Sequence, residues 1–76
     1  MNNTRRKRID TVMQKLKELS EELEALKEEE EEAYDNLPES LQESERGEAM
    51  QEAIDNLDEA ISNIADAIEY LQEAVG

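Results

Sequence analysis

The sequence predicts an all-α protein: an antiparallel two-helix hairpin that assembles into a homo-oligomeric bundle, most simply a dimeric bundle of four helices. Apolar residues recur at a seven-residue period in both halves of the chain, as they do in packed helices. A proline-containing break separates the two halves. The apolar stripe of the second half is wider than a single partner helix needs, which favours assembly.

The first helix is predicted over about residues 5–35, with Thr4 as its N-cap. Heptad position a holds Ile9, Leu16 and Leu23, and position d holds Val12, Leu19 and Leu26. Because positions a and d form the seam of packed helices, both columns are expected to face the second helix.

The connection is predicted over about residues 36–44. The residue before Pro38 is pushed out of helical conformation, and the proline itself has no N–H to donate. One turn of 3₁₀ helix is expected at residues 38–41, with Leu37 and Leu41 folded inward over the bundle end. Ser44 is the expected N-cap of the second helix, and residues 40–43 offer a competing capping box.

The second helix is predicted over about residues 45–75. Its column a holds Met50, Leu57, Ile64 and Leu71; its column d holds Ala53, Ala60, Ala67 and Ala74; its column e holds Ile54, Ile61, Ile68 and Val75. A continuous alanine row lets another backbone approach closely.

Self-association is expected because one sibling helix cannot cover three apolar columns. The residues predicted to carry it are Ile54, Leu57, Ile61, Ile64, Ile68 and Leu71. The alternative is a monomer that leaves Ile54, Ile61 and Ile68 partly exposed, which soluble proteins tend to avoid when the patch is large.

Composition argues against catalysis. The chain has neither Cys nor His, so it lacks the usual nucleophile and neutral-pH base. Glycine-rich phosphate loops and calcium-binding loops are missing from the sequence as well. We therefore expect a non-enzymatic protein with no cofactor and no metal site.

The charge balance is strongly acidic, with 22 acidic residues against 8 basic ones and a net charge of −14. Such a surface repels DNA and anionic membranes, so direct DNA binding and membrane association are disfavoured. No apolar run approaches the roughly 18 residues of a membrane span or resembles a signal peptide. A cytoplasmic location is the expectation.

Half of the basic residues form a cluster at the start of the first helix: Arg5, Arg6, Lys7 and Arg8. Cations at a helix N-terminus oppose the helix dipole and favour compensation. One alternative is pairing with Asp66, Glu69 and Glu73 in the hairpin. Another is a site for a small anionic ligand such as a nucleotide, with Tyr70 stacking on the base. The third is a disordered basic arm that touches RNA, DNA or lipid.

A second polar feature is an acidic surface near the connection. Its predicted members are Glu28, Glu29, Glu31, Glu32, Asp35, Glu39 and Glu43. These carboxylates form either an ordinary solvated face or a surface that binds a protein partner, for example by imitating the phosphates of a nucleic acid.

Residues 35–50 read DNLPESLQESERGEAM and are followed by the Ala-Ile heptads. This half of the chain resembles small acidic helical proteins of phages and mobile elements of Gram-positive bacteria. The resemblance implies an accessory protein acting in the host cytoplasm, and it carries over no functional residues. It suggests interference with a host protein or defence pathway.

Three functions therefore remain open from the sequence. The first is a protein that binds a host or phage protein through the acidic surface. The second is an oligomeric sponge that sequesters a phosphorylated nucleotide at the basic cluster. The third is a purely structural oligomerisation module.

Overall fold

A computed structural model describes residues 1–76, of which 89% are helical and none lies in a strand. Helix α1 spans Asn3–Asp35, the single turn α2 spans Glu39–Gln42, and α3 spans Glu45–Val75. The two long helices pack together, and α2 contacts α3. The result is a thin rod of 58 × 15 × 12 Å. The prediction of an all-helical chain with two long packed helices is confirmed.

Helix α1 begins earlier than the sequence suggested. The backbone N–H of Arg5 donates a 2.8 Å hydrogen bond to Oδ1 of Asn2, which makes Asn2 the N-cap. The assignment of Thr4 as the cap is therefore wrong, and Thr4 lies inside the helix. Asparagine caps at least as well as threonine, so the helix gains residues by starting at the earlier cap.

The connection is tied together by backbone and amide hydrogen bonds. The N–H groups of Gln42 and Glu43 donate to the carbonyls four residues earlier, those of Pro38 and Glu39, at 3.0 and 3.3 Å, so this turn is α-helical rather than the expected 3₁₀ turn. Nε2 of Gln42 donates to the carbonyls of Tyr34 and Leu37 at 3.1 and 3.2 Å. Leu41 remains 40% exposed, so its predicted inward folding is wrong.

Helix α3 starts in direct contact with α2. Ser44 is its N-cap, as predicted, because its Oγ accepts a hydrogen bond from the N–H of Gly47. Gly47 is buried, and a Cβ on it would lie 2.0 Å from the carbonyl oxygen of Gln42. Only glycine permits this approach of the first turn of α3 to the α2 backbone.

The packing of α1 uses columns a and e. Met13 is buried, and Leu16, Leu23 and Lys27 are half-buried. The apolar members of column d are exposed by 48% (Val12), 52% (Leu19) and 53% (Leu26). The prediction that column d of α1 faces the other helix is therefore wrong. With one partner helix, a contact centred between a and e, about 40° apart, leaves d on the flank.

Helix α3 meets α1 through the same pair of columns. Every residue of its columns a and e is half-buried, from Met50 to Val75. In its alanine row, Ala53 and Ala60 are half-buried, whereas Ala67 and Ala74 are exposed. None of the three helices combines the length and apolar character that crossing a membrane requires.

Candidate binding surfaces

The most exposed apolar surface lies on α1 rather than α3. Val12, Leu19 and Leu26 follow one another at heptad spacing and form what we call the apolar stripe. Single exposed leucines are ordinary, but a row of three along one flank of a helix is typical of an interface. The apolar stripe was not among the predicted site residues. The available signal was that column d stays apolar through Ala33.

The predicted self-association residues behave differently. Ile54, Leu57, Ile61, Ile64, Ile68 and Leu71 are all half-buried in a single copy. They lie in columns a and e of α3, which are the columns that pack on α1. The isoleucine row is thus not fully exposed to solvent. The exposed apolar surface is instead formed by the apolar stripe and by Ala67 and Ala74.

A polar contact joins the two long helices. The Nζ of Lys27 in α1 donates a 3.0 Å hydrogen bond to Oδ1 of Asp58 in α3, and Oε1 of Glu31 lies 3.9 Å from the same nitrogen. The hydrogen bond to Asp58 raises the pKa of Lys27 above its ordinary value of 10.5, with further help from the Glu31 and Glu24 carboxylates. This contact places Lys27 opposite Asp58 along the helix pair.

Two members of the predicted acidic surface line a shallow groove between α1 and α3. Glu31 and Asp35 share this groove with Tyr34 on α1 and with residues 51–55 of α3. Glu31 is half-buried, whereas the other six predicted carboxylates are exposed. Glu31 is also the only one of the seven within ion-pair distance of a cation. The remaining six carboxylates are free to meet a partner.

Those carboxylates do not converge on a metal site. No group of three or more of them is close enough together to hold a metal ion. Along a straight helix, successive glutamates point in different directions and spread their charge around the axis. The arrangement can supply a broad negative field or several separate hydrogen-bond acceptors, which suits contact with a basic protein surface.

The four cations of the basic cluster are exposed, and no carboxylate lies within 4.0 Å of them. The predicted compensation by Asp66, Glu69 and Glu73 is therefore not formed in a single copy. One polar contact remains within the helix: Nη1 of Arg6 donates to Oδ1 of Asn3 at 3.4 Å.

Only part of the predicted anion site comes together. Arg5 and Arg8 line a shallow depression with Ile9, Thr11, Val12 and Lys15. Tyr70 is 72% exposed and lies elsewhere, among Asp66, Glu69 and Glu73. A phosphate at the arginines would thus lack the aromatic partner, and a nucleotide at Tyr70 would face carboxylates.

The three surfaces are therefore an apolar stripe, an acidic surface and a basic cluster, all on the outside of a thin helical rod. Comparison with models of protein families, with curated proteins and with solved structures finds no match to this chain.

Proposed function

We propose that this protein is non-enzymatic and acts by binding. Its long helices form an antiparallel hairpin that self-associates through the apolar stripe and offers the acidic surface to a protein partner. The observation that carries the proposal is the half-exposure of Val12, Leu19 and Leu26 along one flank of α1. Covering such a row is the main source of free energy in most protein association.

The order of the contacts supports the antiparallel hairpin. Lys27 meets Asp58, whereas Tyr34, seven residues further along α1, shares a groove with Gln51, seven residues earlier on α3. Later residues of α1 thus lie beside earlier residues of α3, as they do in helices that run in opposite directions.

The shape of one copy supports self-association. Its radius of gyration is 17.2 Å, against about 11.4 Å for a compact domain of this length. Its accessible surface is 5832 Å², against about 4,700 Å² for a compact monomer of this mass. Only Met13 and Gly47 are buried. A second layer of helices would create the interior that one hairpin lacks.

The acidic surface supports a protein partner of basic character. Six of its seven carboxylates are exposed and none of these six has a cationic neighbour within 4.0 Å. The net charge of −14 steers the protein toward cationic surfaces and away from nucleic acid. In the setting suggested by the sequence, this is a cytoplasmic accessory protein of a phage or mobile element that interferes with a host protein or defence pathway.

Multi-angle light scattering over a range of protein concentrations tests the self-association. We expect a dimer at micromolar concentration, and a Leu19→Asp variant that stays monomeric but keeps its helical circular dichroism. The matched control is Gln14→Asp, an exposed change on the opposite flank of α1. A wild-type protein that remains a monomer at millimolar concentration contradicts the proposal.

Competition with DNA tests the acidic surface. A panel of basic DNA-binding proteins from a Gram-positive host is loaded with fluorescent duplex DNA and titrated with this protein. Displacement is expected for at least one member and is reduced at least tenfold by Glu28→Gln, Glu32→Gln and Glu39→Gln together. The same change to glutamine at Glu52, Glu59 and Glu73, which lie outside the acidic groove, controls for net charge. Unchanged DNA occupancy across the panel counts against imitation of nucleic acid.

A second candidate, the sequestration of a phosphorylated nucleotide, is favoured by the lack of any carboxylate partner for the basic cluster. Titration calorimetry with a panel of mono-, di- and cyclic nucleotides tests it, with an Arg5→Ala, Arg8→Ala variant as the comparison. Binding that is lost in the variant supports the sponge. If neither protein binds any nucleotide of the panel, the sponge is ruled out. If the protein also displaces no DNA in the competition, a structural assembly module is the remaining function.

A further inference from the structure

We propose that the second copy docks with its α1 running antiparallel along α1 of the first, about a two-fold axis that passes beside Leu19. This inference rests on the proposed hairpin and its self-association, and adds the occupant, the direction and the register of the interface. It is carried by the positions of apolar, charged and small side chains on the exposed flank of each helix.

The apolar stripe is symmetric about Leu19. Val12 lies seven residues before Leu19 and Leu26 lies seven residues after it. In an antiparallel pair centred there, Leu19 meets its own copy and Val12 meets Leu26 of the second copy, twice. This is the self-complementary arrangement that a two-fold interface requires. All three side chains are about half exposed in one copy and would be covered together.

Charges on the neighbouring column select the same direction and register. Column g of α1, which flanks the apolar stripe, reads Arg8, Lys15, Glu22 and Glu29, and all four are exposed. Around a two-fold axis perpendicular to the helices, equal flanks meet, so column g of one copy faces column g of the other. The antiparallel register brings Arg8 beside Glu29 and Lys15 beside Glu22 of the second copy. In a parallel two-fold pair opposite flanks meet, so these charge pairs would not form.

The charged pairs and the apolar pairs agree to within a fraction of a helical turn. The midpoint between Arg8 and Glu29, and between Lys15 and Glu22, falls half a residue before Leu19. At a rise of about 1.5 Å per residue, this offset is smaller than 1 Å. Two independent features of one helix face therefore define a single axis. The depression lined by Arg5, Arg8, Val12 and Lys15 lies on this same face.

Helix α3 fits the same axis. Lys27 lies level with its partner Asp58 on α3. Leu19 is eight residues before Lys27, so in an antiparallel pair it lies level with Asp66, which is eight residues after Asp58. The axis beside Leu19 therefore passes α3 within one residue of Ala67. About this point the alanine row is symmetric, with Ala60 opposite Ala74 of the second copy and Ala67 opposite itself. When two antiparallel right-handed α-helices meet through columns a and e, their two d columns lie on the same side of the hairpin.

The flank of α3 beside the alanine row also suits burial. Column g of α3 reads Ala49, Asn56, Asn63 and Tyr70, without a charge among them. Depletion of charge is what distinguishes the centre of protein interfaces. Tyr70, the most exposed large hydrophobic side chain at 72%, comes beside Asn63 of the second copy, where its ring is covered and its hydroxyl stays near solvent.

The size of the face is sufficient. The broad side of the hairpin measures 58 by 15 Å, which is about 870 Å². A stable interface buries about 800 Å² on each partner. The opposite side of the hairpin carries the Lys27–Asp58 pair and the acidic groove, which marks it as the solvated side. Apart from Glu29, the acidic surface accordingly remains available to another protein in the dimer.

Cysteine cross-linking tests the register, because the natural chain has no Cys. Under mild oxidation, Leu19→Cys is expected to form a disulfide-linked dimer. Val12→Cys alone and Leu26→Cys alone are expected not to link, whereas an equal mixture of the two does. A Val12→Cys protein that links to itself overturns the antiparallel direction. Efficient linking of Leu19→Cys with Ala67→Cys, without self-linking of Leu19→Cys, overturns the pairing of α1 with α1.

Charge exchange provides a second test that needs no covalent bond. An Arg8→Glu, Lys15→Glu variant and a Glu22→Lys, Glu29→Lys variant each place like charges across the interface. We expect each to weaken self-association at least tenfold, and their equimolar mixture to recover a dimer of wild-type affinity or tighter. A mixture that fails to recover overturns the pairing. Wild-type protein that scatters light as a monomer refutes self-association itself, whereas a dimer that fails both tests refutes only this register.

Discussion

Nζ of Lys27 on α1 donates a 3.0 Å hydrogen bond to Oδ1 of Asp58 on α3, and this is the only ion pair between the two long helices. It lies on the solvated side of the rod, beside Glu31. An isolated exposed pair stabilises a fold little. Its position shows that Lys27 of α1 lies level with Asp58 of α3.

The pH dependence of this pair has a definite sign. Because the folded state raises the pKa of Lys27 above 10.5, the pair's contribution is fully present below that pH and is lost as pH rises through the folded value. In urea unfolding, the stability difference between wild type and Lys27→Met should be constant at pH values well below 10.5 and shrink as the pH rises above 10.5. Lys17→Met removes an exposed cation without an ion pair and serves as the control. A difference that stays constant however far the pH rises above 10.5 contradicts the assignment.

Met13 is the single buried apolar side chain, at 8% exposure. Replacing it by alanine should lower the free energy of unfolding by about 2–3 kcal/mol, because a large side chain is removed from the contact between α1 and α3. Chemical denaturation monitored by circular dichroism gives the value. Gln14→Ala, its exposed neighbour, should change stability by less than about 0.5 kcal/mol. Equal effects at the two positions would mean that α1 is rotated from the orientation described here.

Leu19 should respond to protein concentration in a way that Met13 does not. If Leu19 is covered only by a second copy, the Tm of the wild-type protein rises with concentration, because dimerisation stabilises the folded state by mass action. The Tm of Leu19→Ala should rise less steeply with protein concentration. Met13→Ala should lower the Tm at every concentration, but its Tm should rise with concentration as steeply as that of the wild type. Differential scanning calorimetry over a hundredfold concentration range measures both. A flat wild-type Tm argues against the interface.

Gly47 is expected to resist substitution. In the middle of an exposed helix, alanine in place of glycine gains up to about 1 kcal/mol. Here the new Cβ would lie 2.0, 2.5 and 2.7 Å from the O, C and Cα atoms of Gln42, all of them backbone. Gly47→Ala should therefore destabilise the fold by about 1–3 kcal/mol, the usual cost of overpacking. Glu48→Ala is the neighbouring control, and a stabilised Gly47→Ala protein would mean that α2 does not pack on α3.

Ser44 is expected to matter more than its exposure suggests. Its Oγ accepts from the N–H of Gly47 and donates to the carbonyl of Leu41. Removing the cap in Ser44→Ala should cost about 1 kcal/mol in thermal or urea unfolding. Ser62→Ala, in the middle of α3 and exposed, should be neutral or slightly stabilising because alanine is the better helix former. A neutral Ser44→Ala would show that the turn at α2 holds the start of α3 without the cap.

Much of the fold can be predicted from the sequence because helix formation and helix ends depend on local interactions. The heptad repeats indicate helices, Pro38 ends the first one, and Ser44 begins the second, because each of these effects acts within a turn or two of the chain. The predicted start of α1 is wrong because two good caps, Asn2 and Thr4, lie two residues apart in sequence and the structure uses the earlier one. The acidic surface and the basic cluster could be predicted from the sequence, but the exposure of the apolar stripe and the neighbours of all three surfaces could not.

Sequence alone determined that the chain is helical, where it breaks, and that it carries more apolar columns than one partner helix covers. Only the packing of α1 against α3 decided that columns a and e of α1 face inward and that Val12, Leu19 and Leu26 face out. The same packing left Arg5 to Arg8 without a carboxylate and kept Tyr70 apart from them. The physical reason is that α1 carries apolar residues in both columns a and d, so it can rotate about its axis with little change in local energy, and contacts with the neighbouring helix choose the rotation.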